Sequence, residues 1–176
     1  FAAEGAALAL LDRNEAGVAA VAGELGMAGY GCDVADREML NSVVTKAADA
    51  LGGLDGLVNA AGILDITPFP DLDPASWDRM LAVNLTGPFN VVRAALPALQ
   101  AADEATIVNI ASVSALMPMA GTAGYSASEA GLAMFTKCLA FDLGPKVRAN
   151  TICAGVVKTE MTRFLWENPE LSARAR

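Results

Sequence analysis

The strongest constraint on the fold is an alternation that runs the length of the chain, in which short apolar segments trade places with helical segments of ten residues or more. Apolar runs at residues 6–11, 57–61, 106–111 and 147–153, and another leading into Cys32, Asp33 and Val34, have the length of strands. Residues 14–25, 37–51, 74–99 and 125–143 carry helical patterning. Gly52 and Gly53 punctuate the second helix, and Asp73 with Pro74 supplies an N-cap and first-turn pair for the third. Strands that alternate with helices of this length build a parallel sheet covered on both faces. The expected fold is α/β: a doubly wound parallel sheet in a three-layer α/β/α sandwich, formed as one domain by residues 1–176.

Composition removes several function classes. A formal charge of -8 argues against nucleic acid or anionic membranes as partners. The chain has no histidine, which excludes serine–histidine hydrolysis and histidine metal sites, and no metal is expected. Cys32, Cys138 and Cys153 are odd in number and lack CxxC spacing, as suits reduced core thiols in a cytoplasmic protein. Residues 105–128 hold no charged side chain, but Asn109, Pro118, Gly121 and several hydroxyls interrupt them. A buried strand followed by an active-site loop explains that stretch better than a membrane span. The opening FAAEGAALALLD has neither the basic start nor the cleavage pattern of a signal peptide.

In the segment SVSALMPMAGTAGYSASE, Ser112 stands at a strand end and Tyr125 follows thirteen residues later near a helix start. This resembles the catalytic segment of the classical short-chain dehydrogenases/reductases, a Rossmann-fold family. The resemblance implies that Ser112 holds the substrate oxygen, with Ser114 as the alternative serine, and that Tyr125 exchanges the oxygen's proton. The family's lysine, four residues after the tyrosine, is replaced by Glu129. Residues i and i+4 share a helix face. A cation roughly 5 Å from the phenol, at an effective dielectric near 20, favours the phenolate by about 3 kcal/mol, on the order of two pKa units. An ionised glutamate reverses that sign and, as an acceptor-only group, meets the ribose hydroxyls of a nicotinamide cofactor only by accepting their protons.

Further positions carry the resemblance along nearly the whole chain. Asp12 closes a strand where the family places an acid on the adenosine ribose, implying NAD, while Arg13 beside it leaves NADP open. Asp33 and Val34 resemble the pair that contacts adenine. Asn59, Ala60, Ala61 and Gly62 match three of four positions of the family's NNAG segment, whose small residues let backbone approach the cofactor. Asn84, in MLAVNLTGPF, resembles the asparagine that kinks the long helix and holds a water in the proton path; bending the helix is a role it has in either case. Gly155, Val157 and Thr159 match the loop that meets the nicotinamide carboxamide, with Ala154 where proline is usual. Leu64, Met117, Met119, Met161, Phe164 and Trp166, in loops after strands, are candidates to line the substrate site.

The resemblance therefore implies an NAD(P)-dependent oxidoreductase interconverting a secondary alcohol and a ketone, with NAD ahead of NADP. Glu129 sets beside it a second reading, a non-catalytic member of the fold acting in binding or assembly. The family's first strand with its glycine loop and its C-terminal strand are expected to lie outside these residues, the missing strand falling between those at residues 6–11 and 57–61. Two helices are apolar around more than one face, and the helix from Tyr125 carries one row of Ala130, Met134, Cys138 and Phe141 and another of Leu132, Phe135, Leu139 and Leu143. Such a surplus implies a homotetramer or homodimer.

Overall fold

Each early helix begins where the sequence supplies an acceptor for its first free amides. Asn14 accepts from the Gly17 amide at 3.0 Å to open α1 (Glu15–Leu25), and Asp36 accepts from Met39 at 3.0 Å to open α2 (Arg37–Leu51). Asp73 accepts from Ala75 at 2.9 Å, with Pro74 in the first turn of α3 (Pro74–Leu81). Gly26 and Gly52, in the left-handed region at φ 66 and 76, end α1 and α2. The computed structural model describes residues 1–168 and adds α4 (Gly87–Ala101), α5 (Ala123–Leu143) and the short α6 (Arg163–Trp166).

Five strands alternate with these helices among the described residues: β1 (Ala9–Asp12), β2 (Ala28–Gly31), β3 (Gly56–Asn59), β4 (Ala105–Ser112) and β5 (Val147–Ala154). Every pairing is parallel, as the alternation requires. The ladders form two groups, β1 with β2, and β3 with β4 and β5 in that order. No ladder joins the two groups among the described residues, and the family resemblance implies an additional strand between β1 and β3. Because β3, β4 and β5 advance in one direction, right-handed crossovers put α4 and α5 on the same face of that group. On β4 this face carries Ala105, Ile107, Asn109 and Ala111, all buried. Ile107 enters a core with Leu40 and Val44 of α2 and Val91, Val92, Ala95 and Leu99 of α4. The opposite face of the group leaves Val58 and Ile152 exposed.

A polar ladder crosses that core. Asn59 Nδ2 donates to Asn109 Oδ1 at 2.8 Å, Asn109 Nδ2 donates to Thr136 Oγ1 at 2.8 Å, and Thr136 returns its hydroxyl proton to the Leu132 carbonyl at 2.7 Å. Each member is buried, so each of these bonds replaces water the side chain has lost. The ladder fixes β3, β4 and α5 in register, Asn59 standing opposite Asn109 in the sheet.

The long third helix departs from regular geometry. Residues Ala82–Thr86 form a π-helical turn between α3 and α4, and the helix runs to Ala101 rather than Leu99. The helix of Tyr125 starts two residues earlier than the sequence suggests, at Ala123, with Thr122 at its N-cap position. It lies close on its neighbours because two positions lack side chains: a Cβ on Gly124 would meet Met80 Cε at 2.4 Å, and one on Gly131 would meet Leu85 Cδ2 at 2.9 Å. Its two apolar rows part company. Leu132, Phe135, Leu139 and Leu143 turn inward, with Phe135 against Phe89 at a 6.1 Å ring separation, while Ala130, Met134, Cys138 and Phe141 stand exposed. Phe135 is thus partly buried against the core.

Candidate active site

β4 delivers Ser112 and the first turn of α5 delivers Tyr125 beside it. The phenol is half-buried, with the Ser112 side chain beside it. Three influences act on its acidity: burial pushes it up, the charge of Glu129 pushes it further, and the Ser112 side chain opposes both. Ser112 Oγ also accepts from the Ser114 amide at 3.1 Å, which makes Ser112 the cap of the turn that follows β4. Ser114 is buried in that turn.

Glu129, one turn along α5, is only 5% exposed. Burial raises its carboxyl to about 7, against a smaller opposing pull from the Ser112 backbone. The sequence argument treats this group as an ion; the fold makes it half protonated near neutrality. Its effect on Tyr125 therefore depends on pH.

Behind Tyr125 lies a chain of buried hydrogen bonds centred on Asn84 in the π turn. Asn84 Oδ1 accepts from the Ile63 amide at 2.8 Å, and its Nδ2 donates to the Ile63 carbonyl at 2.9 Å and to Ser128 Oγ at 3.1 Å. Ser128, fully buried, passes its own proton to the Tyr125 carbonyl at 2.7 Å. The Asn59-to-Gly62 segment, the π turn and the helix of Tyr125 are thereby one unit. A Cβ on Gly62 would meet Asn84 Oδ1 at 3.6 Å, an ordinary contact.

A separate open cleft forms at the ends of β1 and β2, lined by Asp12, Arg13, Cys32, Asp33, Val34, Ala61 and Gly62 with Arg79 of α3. Asp12 Oδ1 accepts from the Asn14 amide at 2.8 Å, and Asp33 Oδ1 from Ala35 at 2.9 Å. Arg79 stands 3.7 Å from Asp33 Oδ2. The Val34 carbonyl accepts from Asn90 Nδ2 at 3.1 Å. Carboxylates at two strand ends, an open backbone at Ala61 and Gly62, and small neighbours fit the donor-rich adenosine half of a dinucleotide. The nicotinamide side fits less well, since Glu129 offers no cation.

Asn59 is committed to Asn109, and its neighbours Ala60 and Ala61 are exposed. Gly155, Val157 and Thr159 form an exposed loop held by Thr162, whose hydroxyl donates to the Val157 carbonyl at 2.5 Å and accepts from the Thr159 amide at 3.1 Å. Met117, Met119, Met161 and Phe164 are exposed and Leu64 is half-buried. Trp166 Nε1 donates to Thr162 at 3.3 Å, and Lys158 stands 5.9 Å over its ring. Sequence reasoning overlooked Ser128 and Arg79. A serine beside Glu129 and an arginine in the last turn of α3 carry no local signal, because their roles come from what the fold sets opposite them.

The model of the short chain dehydrogenase family matches residues 1–170. A D-threitol dehydrogenase of Mycolicibacterium smegmatis is 35% identical over 175 residues, covering 96% of this chain and 67% of that protein. A protein of Xanthobacter autotrophicus named inactive 2-(S)-hydroxypropyl-CoM dehydrogenase 2 is 37% identical over 177 residues, covering 97% of this chain and 77% of its own. The crystal structure of a gluconate 5-dehydrogenase from Burkholderia cenocepacia in complex with NADP and tartrate is similar with a TM-score of 0.91 and 31% identity, covering 98% of this chain and 70% of that one.

Glu129 makes the stability of the fold depend on pH. Its carboxyl rises from 4.5 to about 7 on folding, so the folded chain keeps the proton longer than the unfolded chain does. The associated stability is full below about 4.5, falls as pH rises toward 7, and is flat beyond. The loss amounts to on the order of 3 kcal/mol. Glu129→Gln, which cannot ionise, should raise the denaturant midpoint at about pH 8 and leave it nearly unchanged at about pH 4. Equal effects at both values in urea titrations would show that the carboxyl does not carry this dependence.

Proposed function

The chain belongs to the short chain dehydrogenase family, whose members are oxidoreductases, and from that premise we propose that it interconverts a secondary alcohol and a ketone with Tyr125 as the proton-exchanging residue and Ser112 as the group that orients the substrate oxygen. The observation that carries this reading is the half-buried Tyr125 phenol in the first turn of α5, beside Ser112 at the end of a parallel strand. When bound, a nicotinamide cofactor supplies or accepts the hydride. Asp12, Asp33 and Val34, with the open backbone of residues 60–62, hold its adenosine half; Gly155, Val157 and Thr159 lie on the loop that meets the other end. NAD is the preferred form, because the Asp12 carboxylate at the β1 end repels a 2′-phosphate. The relative crystallised with NADP keeps the alternative in view, with Arg13 as the residue that would favour it. The apolar loops at Met117, Met161, Phe164 and Trp166 favour a substrate with hydrophobic bulk, and the free thiols fit a cytoplasmic setting. Residues 1–176 act as one domain.

A second reading rests on Glu129 together with the relative named inactive: the chain serves as a non-catalytic subunit. The two readings separate on turnover by the intact chain.

In the intact chain, Tyr125→Phe should remove nearly all turnover of an accepted alcohol while NADH binding stays within about a few-fold. Ser112→Ala should do likewise and Ser114→Ala should cost far less; the reverse order for the serines would displace Ser112 from its role. Fluorescence titration should find NADH bound more tightly than NADPH, with Asp12→Ala narrowing the difference, and equal affinities in the unsubstituted chain would remove the preference for NAD. The exposed row of Met134, Cys138 and Phe141 on α5, together with the exposed Phe89 of α4, supports a homodimer or homotetramer. Phe141→Glu should lower the mass measured by light scattering at micromolar concentration, and a monomeric mass for the unsubstituted protein would refute the assembly.

A further inference from the structure

The two ends of a nicotinamide dinucleotide would find unequal surroundings in this chain. The adenosine end is preorganised by printed-in packing and hydrogen bonds from three helices. Val34 sits in a notch of α4, where Gly87 has no side chain and a Cβ would meet Val34 Cγ2 at 2.6 Å. Asn90, 3% exposed, donates to the Val34 carbonyl at 3.1 Å and accepts from Arg37 Nε at 3.2 Å, so α2 and α4 hold Val34 between them. Asp33 gives Oδ1 to the Ala35 amide at 2.9 Å. Its Oδ2 lies 3.7 Å from Arg79 of α3, too far for a hydrogen bond, and keeps its capacity to accept from the amino group of a base. Asp12 gives Oδ1 to the Asn14 amide and has a second oxygen for hydroxyl donors. These groups line one open cleft with the backbone of Ala61 and Gly62.

The opposite end lacks such provision. Glu129, one turn after Tyr125 on α5, is 5% exposed, and neither protonation state of a carboxyl is a cation. The charge-assisted bonds that a lysine gives to ribose hydroxyls are therefore lost. The loop after β5 turns its polar groups on itself: Thr162 Oγ1 donates to the Val157 carbonyl at 2.5 Å, accepts from the Thr159 amide at 3.1 Å and lies 3.4 Å from the Thr159 hydroxyl. Val157 is 57% exposed, so this loop offers a nicotinamide ring little burial.

We propose that the cleft at the ends of β1 and β2 is an adenine-nucleotide site in its own right, which takes AMP or ADP as tightly as it takes a nicotinamide dinucleotide. The inference rests on the adenosine half of the reading above and on no step of its chemistry. Affinity comes from groups already held in place, and here they are gathered at one end. A nicotinamide half adds atoms to the ligand but meets neither a cation nor a buried face, so it adds little to binding.

The test is calorimetric titration of the intact chain with AMP, ADP and NADH, which reads binding without turnover. The dissociation constants for ADP and NADH should agree within about threefold. Asp33→Ala, at a half-exposed position, should weaken ADP and NADH alike by about tenfold, because both lose the same acceptor. Glu129→Lys should tighten NADH by about tenfold and leave ADP unchanged, since ADP has no second ribose for the ammonium to reach. NADH bound more than about tenfold tighter than ADP by the unsubstituted chain would overturn the proposal and leave the oxidoreductase reading standing. Binding that Asp33→Ala leaves unchanged would also overturn it, because the nucleotides would then lie elsewhere. Parity of ADP and NADH without turnover of cyclopentanol or D-threitol would support it and favour the non-catalytic reading. Failure of all three nucleotides to bind would remove the adenosine assignment and the proposal together.

Discussion

The arrangement of this site depends on one buried amide. Asn84 has lost its contact with water, and its hydrogen bonds join two parts of the fold: the backbone of Ile63 after β3 on one side and the helix of Tyr125, through Ser128, on the other. An unpaired buried amide costs on the order of 1–3 kcal/mol, so Ile63 and Ser128 are held to the positions that satisfy it. The π turn is the local adjustment that points Asn84 at them. A second ladder, Asn59 to Asn109 to Thr136, performs the same task one layer deeper. Polar groups placed inside an apolar core thus set where Tyr125 stands relative to Ser112.

Close packing completes that positioning. α5 reaches the π turn and α3 because Gly124 and Gly131 remove the side chains that would otherwise hold it away. The same helix then turns one apolar row onto β4 and β5 and leaves a second row in water. Tyr125 is consequently fixed by the backbone of α5, and its chemistry is decided by the few groups that share its pocket.

Among those groups Glu129 has the largest consequence. Charge alone makes it an anion that opposes a tyrosinate. Burial, the larger influence on its own acidity, brings the neutral form within the ordinary pH range. Read as a fixed charge the residue opposes proton transfer; buried, it is a group able to gain and lose a proton near neutrality.

The sequence by itself determined the elements and their order. Strand–helix alternation, the caps at Asn14, Asp36 and Asp73, and glycines after α1 and α2 are local signals, and local backbone chemistry is enough to place them within a residue or two. The spacing of Ser112 and Tyr125, with the substitution at Glu129, was legible for the same reason: strand end and helix start lie close along the chain. Asn109 was visible as a polar interruption of an apolar run, but its partners were not. Only the tertiary structure decided that Ser128 links Asn84 to the Tyr125 backbone, that Arg79 faces Asp33, and that Phe135 packs against the core. These depend on which side chains from distant segments share a buried volume, and on how much water that volume excludes. Neither quantity is a property of any stretch of sequence taken alone.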